Sequence, residues 1–407
     1  MQTYSFCYSN AFVLRIFWIL VILFSLKSTG KAQDSARFVA SIRKLSSKSM
    51  AGRGYLFRGH KKAARYIELR FRRAGLRPAG RSFLQEFQIT QNLFPSRPKL
   101  KLNGRKLRPG RDFIPGPASP TASGSFKLDS SQGNLNKNVA LLLKDKETFK
   151  PNGSSNPGLI IRRQSKLTHS LSENQSRIPE ILVKESAIQK GDSILKISLH
   201  PSIRNLDTYN VMGMVRGTAE PDSFLVLCAH YDHLGSLGRS TYFPGANDNA
   251  SGVAMLLELA RAIAKKPLRY SVLFVAFSGE EAGLLGSSFM AENPPIPLTN
   301  IRFLFNLDLL GFGEKGATVV NATVHPKEFA RLQALNESCH CLPEIKSRGK
   351  AANSDHYPFS EKGVPAFFMY LMGGPGYYHD IDDNAKSLSL KGFRGTFRLI
   401  MDFMRGF

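Results

Sequence analysis

Four short apolar runs with little polar alternation constrain the fold of this chain more than any other feature of its sequence. They are Phe224–Ala229, Ser271–Phe277, Ile301–Leu307 and Ala366–Tyr370. Such runs are typical of strands that are covered on both faces, as in a parallel sheet with helices on each side. A helix is predicted over Gly252–Ala264, where capping-type residues precede the first apolar turn. The sequence from about Tyr209 onward therefore predicts an α/β fold.

Acidic and imidazole side chains follow these runs. In chain order they are His230 and Asp232, Asp248 in the loop that opens the helix, Glu280 and Glu281, Asp308 and, some residues after the fourth run, His379. Because sites in open α/β sheets form outside the carboxyl ends of the strands, we expect these side chains to converge. Imidazoles and carboxylates without a thiolate suit zinc, and less selectively manganese or cobalt.

The number of candidate ligands favours two metal ions. A catalytic zinc usually keeps about three protein ligands, whereas five are available here. Two ions about 3.5–4 Å apart would accommodate them if one carboxylate bridged both. The adjacent carboxylates of Glu280 and Glu281 would repel each other without a nearby cation, and one of them can bind metal while the other accepts a proton. Each residue taken alone is most simply structural, but their coincidence at several strand ends favours a bimetallic site.

Six stretches of the chain resemble the M28 zinc peptidases, the aminopeptidase and glutamate-carboxypeptidase-like group. They are AHYDHLG (229–235), GANDNASGVAMLLELAR (245–261), FSGEEAGLLGS (277–287), NLDLLG (306–311), SDHYPF (354–359) and YHDIDD (378–383). They occur in the family's order with similar spacing, and residues 52–78 resemble the family's opening helices. The resemblance implies a zinc-exopeptidase-like fold, with a mixed, mostly parallel central sheet flanked by helices.

The resemblance also implies a role for each candidate residue. His230 and Asp308 would bind one zinc ion, Glu281 and His379 the second, and Asp248 would bridge them. Glu280 would be the general base, and Asp232 would orient His230. Supporting or substrate-contacting roles would fall to Asp355, Asp383 and Tyr378. The full ligand set argues against the related glutaminyl cyclases, which retain a single-zinc set.

The implied activity is hydrolysis of peptides by a metal-activated water, with two Zn²⁺ as cofactors and Mn²⁺ or Co²⁺ as alternatives. An aminopeptidase is the first interpretation, and a carboxypeptidase or dipeptidase on the same scaffold is the second. A further alternative is a binding protein whose peptidase fold has lost its catalytic activity. The complete set of candidate metal ligands and the candidate general base argue against it. The expected partners are peptide substrates, and the oligomeric state is left open.

The first half of the chain has a different texture. Helical spacing marks Ser35–Leu45 and His60–Ala74. From residue 95 to residue 205, short β-like runs alternate with Pro, Gly, Ser and Asn, which predicts a small β-rich insert. In position and texture this insert resembles the protease-associated domain of some M28 enzymes. The peptidase domain would then be discontinuous, comprising residues 33–94 and 206–407.

The net charge of the 407-residue chain is +25, and it is unevenly distributed. Residues 1–32 carry +3, residues 33–205 carry +23 and residues 206–407 carry −1. A strongly basic chain suggests a nucleic-acid partner. Because the excess lies outside the predicted catalytic part, it describes the surface around the site, and we do not expect nucleic-acid binding.

Residues 1–32 have the pattern of a secretory signal peptide. Arg15 precedes the apolar run Ile16–Leu26, and small residues follow at Gly30 and Ala32. The run is too short to cross a bilayer, which needs about 20 residues, so we expect no stable membrane anchor once the signal is removed. The protein is therefore expected to be secreted or periplasmic. Four cysteines exclude a disulfide framework, and Cys339 with Cys341 would supply only half a zinc site.

Overall fold

The computed structural model describes residues 35–131, 135–149 and 156–407. The predicted signal peptide, residues 1–32, lies outside the described residues. The strands form two eight-stranded sheets and one short hairpin. In chain order they are β1 Leu84–Leu93, β2 Lys99–Leu102, β3 Arg105–Leu107, β4 Phe113–Pro115, β5 Ala122–Asp129, β6 Val139–Leu143, β7 Leu159–Gln164, β8 Glu180–Lys184, β9 Ile194–Leu199, β10 Ser202–Val215, β11 Glu220–His230, β12 Ser236–Leu237, β13 Thr241–Tyr242, β14 Tyr270–Phe277, β15 Ile301–Leu307, β16 Ala317–Val320, β17 Ile345–Ser347 and β18 Ala366–Leu371.

The first sheet is mixed, and its centre is parallel. Its strand order is β1-β10-β14-β11-β15-β18-β16-β17. The four central strands, β14, β11, β15 and β18, run parallel. The pairs β1–β10, β10–β14 and β16–β18 are antiparallel, and the edge strand β17 pairs parallel with β16. The four apolar runs of the sequence form these central strands. The predicted fold class is thereby confirmed, and the carboxyl ends of the four strands share one edge of the sheet.

The burial of β11 explains why its sequence lacks polar alternation. Leu225 and Leu227 face one hydrophobic core, and Val226 and Cys228 face another on the opposite side of the sheet. All four side chains are fully buried. Truncating a leucine buried in this way typically costs about 2–5 kcal/mol of stability. Both faces of the strand therefore contribute to the fold, and the strand end is held rigidly.

Helices cover both faces of the first sheet. They are α1 (residues 35–45), α2 Gly59–Ala74, α3 Gly252–Lys265, α4 Leu285–Glu292, α5 Pro326–Cys339, α6 Tyr357–Glu361 and α7 Phe393–Arg405. Side chains of α1, α2, α3, α5 and α7 share one core, and α4 and α6 contribute to the core on the other face. Short 3₁₀ turns cover Lys48–Arg53, Leu56–Arg58, Glu185–Ala187 and Leu298–Asn300, and a π-type turn covers Ala246–Ser251.

The second sheet has the order β3-β2-β9-β5-β6-β7-β8-β4. All of its strands lie within the stretch for which a β-rich insert is predicted. Its hydrophobic core includes Leu234, Leu237 and Phe243, so this sheet packs on the segment that follows the end of β11. The chain changes sheets between Leu199 and Ser202, because β10 pairs with β1 from Ser202 onward. Residues 202–205 therefore lie in the first sheet.

Two further expectations from the sequence concern the roles of the cysteines and a possible membrane anchor. A disulfide joins Cys339 to Cys341, and Cys228 is a buried free thiol. No helix among the described residues combines the length and the apolar character needed to cross a bilayer.

Candidate active site

The edge formed by the carboxyl ends of the central strands carries the predicted side chains. His230 is the last residue of β11, and Asp308 directly follows β15. Glu280 and Glu281 come three and four residues after the end of β14. Ligand atoms of His230, Glu280 and Asp308 lie within 4.8 Å of one another, as do those of His230, Asp248 and Glu281. The sheet therefore brings these residues together as the strand-end pattern predicts.

Asp248 lies between the two histidines of the site. Its Oδ1 is 3.4 Å from His230 Nε2, and its Oδ2 is 3.2 Å from His379 Nε2. Asp308 Oδ1 is also 3.4 Å from His230 Nε2, and Glu281 Oε2 is 3.0 Å from His379 Nε2. The two oxygens of one carboxylate thus face two separate groups of potential ligands.

The turn that carries Asp248 is held from two sides. Asp383 accepts hydrogen bonds from the backbone N–H groups of Asn247 and Asp248, at 2.8 and 3.0 Å. On the other side, the fully buried guanidinium of Arg53 donates to the carbonyl oxygens of Gly245 and Asp248, at 2.7 and 2.9 Å. Gly245 has φ +55°, and a Cβ there would overlap both the Asp248 carbonyl and the Arg53 side chain. The position of Asp248 between the two histidines is therefore set by backbone contacts.

The Nδ1 atoms of His230 and His379 each face a backbone carbonyl oxygen. His230 Nδ1 lies 3.3 Å from the Asp232 carbonyl oxygen, and His379 Nδ1 lies 2.9 Å from the His169 carbonyl oxygen. Because a carbonyl can only accept, each Nδ1 carries the hydrogen, and in a neutral ring Nε2 then presents a lone pair.

Both Nε2 atoms point at carboxylate oxygens, which are acceptors. Burial acts to lower the pKa of His379, but the neighbouring Glu281 and Asp248 outweigh it and raise that pKa to about 11, so the ring is charged unless a cation takes the place of its Nε2 proton. Asp248 Oδ2 and Asp308 Oδ1 are buried and make no hydrogen bond of normal geometry within the described part of the chain. Buried charges of one sign are costly unless they are paired or coordinate a cation. The donor set and its orphaned oxygens therefore fit metal cations, and this fit rests on the orientation of side chains rather than on their number.

The neighbouring glutamates have different surroundings. Burial raises the pKa of Glu280 well above its usual range. Burial also acts to raise the pKa of Glu281, but the nearby imidazoles of His379 and His233 outweigh it and hold that pKa at about 2. His233 Nδ1 lies 2.6 Å from Glu281 Oε1. Of the two adjacent carboxylates, Glu281 thus has surroundings that favour the anion, and Glu280 has surroundings that favour the protonated form.

Asp232 contacts both the histidine and the glutamate. Its carbonyl faces His230, whereas its carboxylate accepts from the Glu280 backbone N–H at 3.2 Å and from the Tyr55 hydroxyl at 3.1 Å. Burial raises the pKa of Asp232 to about 6. Asp232 therefore supports His230 through its backbone and orients Glu280 through its side chain.

The remaining predicted residues occupy different places. The Tyr378 ring stacks on that of His379, with centroids 3.8 Å apart, and it is half exposed at the mouth of the site. Asp355 is fully buried behind the site, where burial raises its pKa to about 7. Neither Asp355 oxygen has a hydrogen-bond partner among the described residues, and Asp355 belongs to neither group of potential metal ligands.

A cavity of about 230 Å³ opens over these groups. Its floor includes His230, Asp248, Glu280 and Asp308, and its walls include Leu309, Phe368, Tyr370 and Tyr378. Pockets for drug-sized ligands are usually about 300–1,000 Å³, so this cavity suits one or two amino-acid residues of a substrate.

Residues 210–404 match the model of peptidase family M28. The chain contains an M28 peptidase domain. The matched segment includes His230, Asp248, Glu280, Glu281, Asp308 and His379.

Relatives of the M28 domain carry peptidase names. The chain is 29% identical over 238 residues to aminopeptidase YwaD of Bacillus subtilis (strain 168), which covers 55% of this chain and 50% of that protein. It is 38% identical over 111 residues to a probable zinc metalloprotease of Leptosphaeria maculans, which covers 26% of each. The chain therefore spans half the length of the first relative and about a quarter of the second.

Solved structures match the whole described fold more completely. The zinc aminopeptidase BSAP of Bacillus subtilis superposes with a TM-score of 0.69 at 20% identity, covering 91% of this chain and 94% of that one. An aminopeptidase from Aneurinibacillus sp. strain AM-1 gives 0.63 at 20% identity, covering 91% and 92%. At this identity the likeness concerns the fold, and it includes the second sheet as well as the M28 domain.

Four residues that contribute to the site were missed by the sequence analysis. His233 lies three residues after His230, so its position in the same strand-end segment was a usable signal. Arg53, Tyr55 and His169 lie before the M28 match and reach the site only through long-range contacts. His169 lies between β7 and β8 of the second sheet. The M28 domain thus shares its candidate site with the rest of the chain.

Proposed function

We propose that the protein is a dinuclear-zinc aminopeptidase that is exported from the cell and cleaves peptides with free amino termini. The observation that carries the proposal is the position of Asp248, whose two oxygens face the Nε2 atoms of His230 and His379. The names of the relatives support both zinc and aminopeptidase activity.

The proposed ligands fall into two sets that share Asp248. His230 and Asp308 would hold one ion, and Glu281 and His379 the other. The imidazole and carboxylate donors of the described cluster suit zinc. Because Mn²⁺ and Co²⁺ accept the same donors, elemental analysis is needed to identify the bound metal. Bound zinc supplies Lewis acidity, which polarises the scissile carbonyl and lowers the pKa of a water.

The chain's own residues supply the proton transfer. Glu280 would accept the proton of the attacking water and deliver it to the leaving amine. The Glu280 backbone N–H donates a hydrogen bond to the Asp232 carboxylate, and this contact holds the Glu280 side chain over the cavity. Because the cavity accommodates one or two residues, the site suits cleavage at a chain end rather than in the middle of a folded substrate.

Replacing Glu280 tests this mechanism. In Glu280→Gln we expect the zinc content to stay at two ions per chain while kcat on leucine 4-nitroanilide falls by about 10²–10⁴-fold, because the amide cannot accept the proton. Elemental analysis and steady-state kinetics measure the two quantities. The exposed Glu292 provides a matched control, and Glu292→Gln should behave like the wild type. Hydrolysis near the wild-type rate in Glu280→Gln would refute the role of Glu280.

A substrate-profiling digest separates the alternatives. Peptides with free, acetylated or amidated ends are incubated with zinc-reconstituted protein, with and without a chelator. Loss of single residues from free amino termini supports the aminopeptidase. Release from the other end supports a carboxypeptidase, cleavage restricted to dipeptides supports a dipeptidase, and no metal-dependent release supports a binding protein.

We propose that the protein is exported because residues 1–32 have the pattern of a secretory signal peptide. The Cys339–Cys341 disulfide supports an oxidising compartment. Amino-terminal sequencing of protein recovered from the periplasm and from the medium tests export: a mature end near Gln33 supports it, and an intact Met1 contradicts it.

A further inference from the structure

Arg348 brings a positive charge to the wall of the candidate active site. It directly follows β17, and its backbone N–H donates to the Val319 carbonyl at 2.9 Å, so its main chain is tied to the edge of the first sheet. Its side chain lines the same cavity as Glu280 and Asp308. The residue is exposed, which leaves its guanidinium accessible from solvent and from the cavity.

The guanidinium of Arg348 has no carboxylate partner within the described ranges. Its one side-chain contact is a long hydrogen bond to the Tyr370 hydroxyl, at 3.5 Å. Some arginines of this chain are paired, for example Arg105 with Asp192 and Arg162 with Glu180, at 2.7 Å in both cases. An arginine without an ion pair beside a substrate-sized cavity is therefore available for a ligand.

The walls around Arg348 are otherwise uncharged. Leu309, Asn353, Phe368, Tyr370 and Tyr378 complete them, and Arg348 is the single Lys or Arg among the residues that line the cavity. The carboxylates lie on the floor, where the proposed zinc ions would neutralise them. A guanidinium offers two parallel N–H groups that match the two oxygens of a carboxylate.

We propose that Arg348 is a specificity-determining residue that binds a carboxylate of the substrate. This inference rests on the proposed peptidase function. The carboxylate has two possible sources, namely the side chain of an acidic amino-terminal residue or the free carboxyl terminus of a dipeptide. A general electrostatic role of Arg348 would instead affect all substrates alike, which makes the two interpretations separable.

Three variants and two pairs of substrates test the proposal. Arg348→Met removes the charge and keeps a long, unbranched side chain. Arg348→Lys keeps the charge but lacks the two parallel N–H groups of a guanidinium. The control is Lys350→Met, because Lys350 is an exposed cation nearby that pairs with Glu361 and does not line the cavity. One pair compares the 4-nitroanilides of glutamate and glutamine, and the other compares Leu-Leu with Leu-Leu-amide.

The wild type should favour the carboxylate-bearing member of one pair. In Arg348→Met, the ratio of kcat/KM within that pair should fall by about tenfold or more, since a hydrogen bond between charged groups is lost. Arg348→Lys should retain part of the preference, and Lys350→Met all of it. A change in the glutamate pair identifies an acidic side chain as the ligand, and a change in the dipeptide pair identifies the chain terminus.

The outcomes distinguish this inference from the proposed function. Hydrolysis of leucine 4-nitroanilide by the wild type, with both ratios unchanged in Arg348→Met, would overturn the role of Arg348 and leave the peptidase proposal standing. If no substrate is cleaved, calorimetry of zinc-loaded protein decides the point. The probes are L-glutamate compared with L-glutamine, and L-leucine compared with L-leucinamide. If Arg348→Met changes the dissociation constants of both members of each pair by the same factor, the proposal is refuted.

Discussion

The proposed two-ion arrangement depends on Asp248 as the carboxylate that both ions would share. An aspartate can share two anionic oxygens between neighbouring cations, whereas the amide of asparagine offers only one good oxygen donor. We expect Asp248→Asn to lower the zinc content from two ions per chain to one or none and to abolish leucine 4-nitroanilide hydrolysis. Inductively coupled plasma mass spectrometry measures the metal, and circular dichroism checks the fold.

The control for this variant is Asp222→Asn, an exposed carboxylate in the first half of β11. It should bind as much zinc as the wild type. Two tightly bound ions in Asp248→Asn would show that another group bridges them.

Among individual residues, the sequence predicts those whose positions depend on local structure. The positions of Glu280 and Asp308 could be predicted because each follows an apolar run that is typical of a buried parallel strand, and such strands end at one edge of the sheet. Arg53 could not be placed, because its role consists of hydrogen bonds to carbonyl groups almost two hundred positions away. The sequence around it contains glycines and basic residues with no periodic signal for burial.

At the scale of elements, residues 166–169 form a strap from the second sheet to the loop that carries His379. Lys166 Nζ donates to the carbonyl oxygens of Gly376 and Tyr378, at 2.6 and 2.8 Å. The His169 backbone N–H donates to the His379 carbonyl at 3.2 Å, and the His169 carbonyl accepts from the His379 ring. The strap therefore fixes both the loop backbone and the ring of one candidate ligand.

Loosening the strap should weaken one metal site. We expect Lys166→Met to lower the affinity for the more weakly held zinc ion by up to about tenfold, at the lower end of the effects seen when groups that orient metal ligands are removed. Competition with a fluorescent zinc chelator measures this affinity. Lys196→Met, on an exposed position of β9, is the matched control, and equal affinities in the two variants would contradict the role of the strap.

Strands were predicted well where their burial is regular and less well where it is not. The run Ile301–Leu307 was predicted with its observed bounds because its interior is apolar on both faces. The domain boundary predicted between residues 205 and 206 falls inside strand β10, whose first half pairs with β1 alone and carries mostly polar, partly exposed side chains. Pairing with a distant strand, rather than local periodicity, decides where such an element begins.

At the scale of the whole molecule, the site joins strand ends, the Asp248 turn and the second sheet. Without the proposed cations, several buried carboxylates would face one another, so chelation should destabilise the fold as a whole. We expect dipicolinate to lower the midpoint of thermal unfolding by roughly 5 °C or more. Differential scanning calorimetry measures the shift.

The Asp248→Asn protein provides the comparison for this measurement. Because we expect this variant to hold one zinc ion or none, the same chelator should shift its midpoint by less. Equal midpoints of the wild type with and without chelator would show that bound cations do not contribute to the stability of the fold.

The strap also sets an order of assembly during synthesis. The set of His230, Asp248 and Asp308 is complete once the chain has been made through Asp308, whereas the second set waits for His379. The ring of His379 is in turn oriented by a carbonyl 210 positions earlier in a different sheet. Domains generally fold as units while the chain emerges. On the proposed two-ion arrangement, a nascent or truncated chain that ends before His379 would hold one ion at most, and the proposed peptidase activity would require both sheets to be folded.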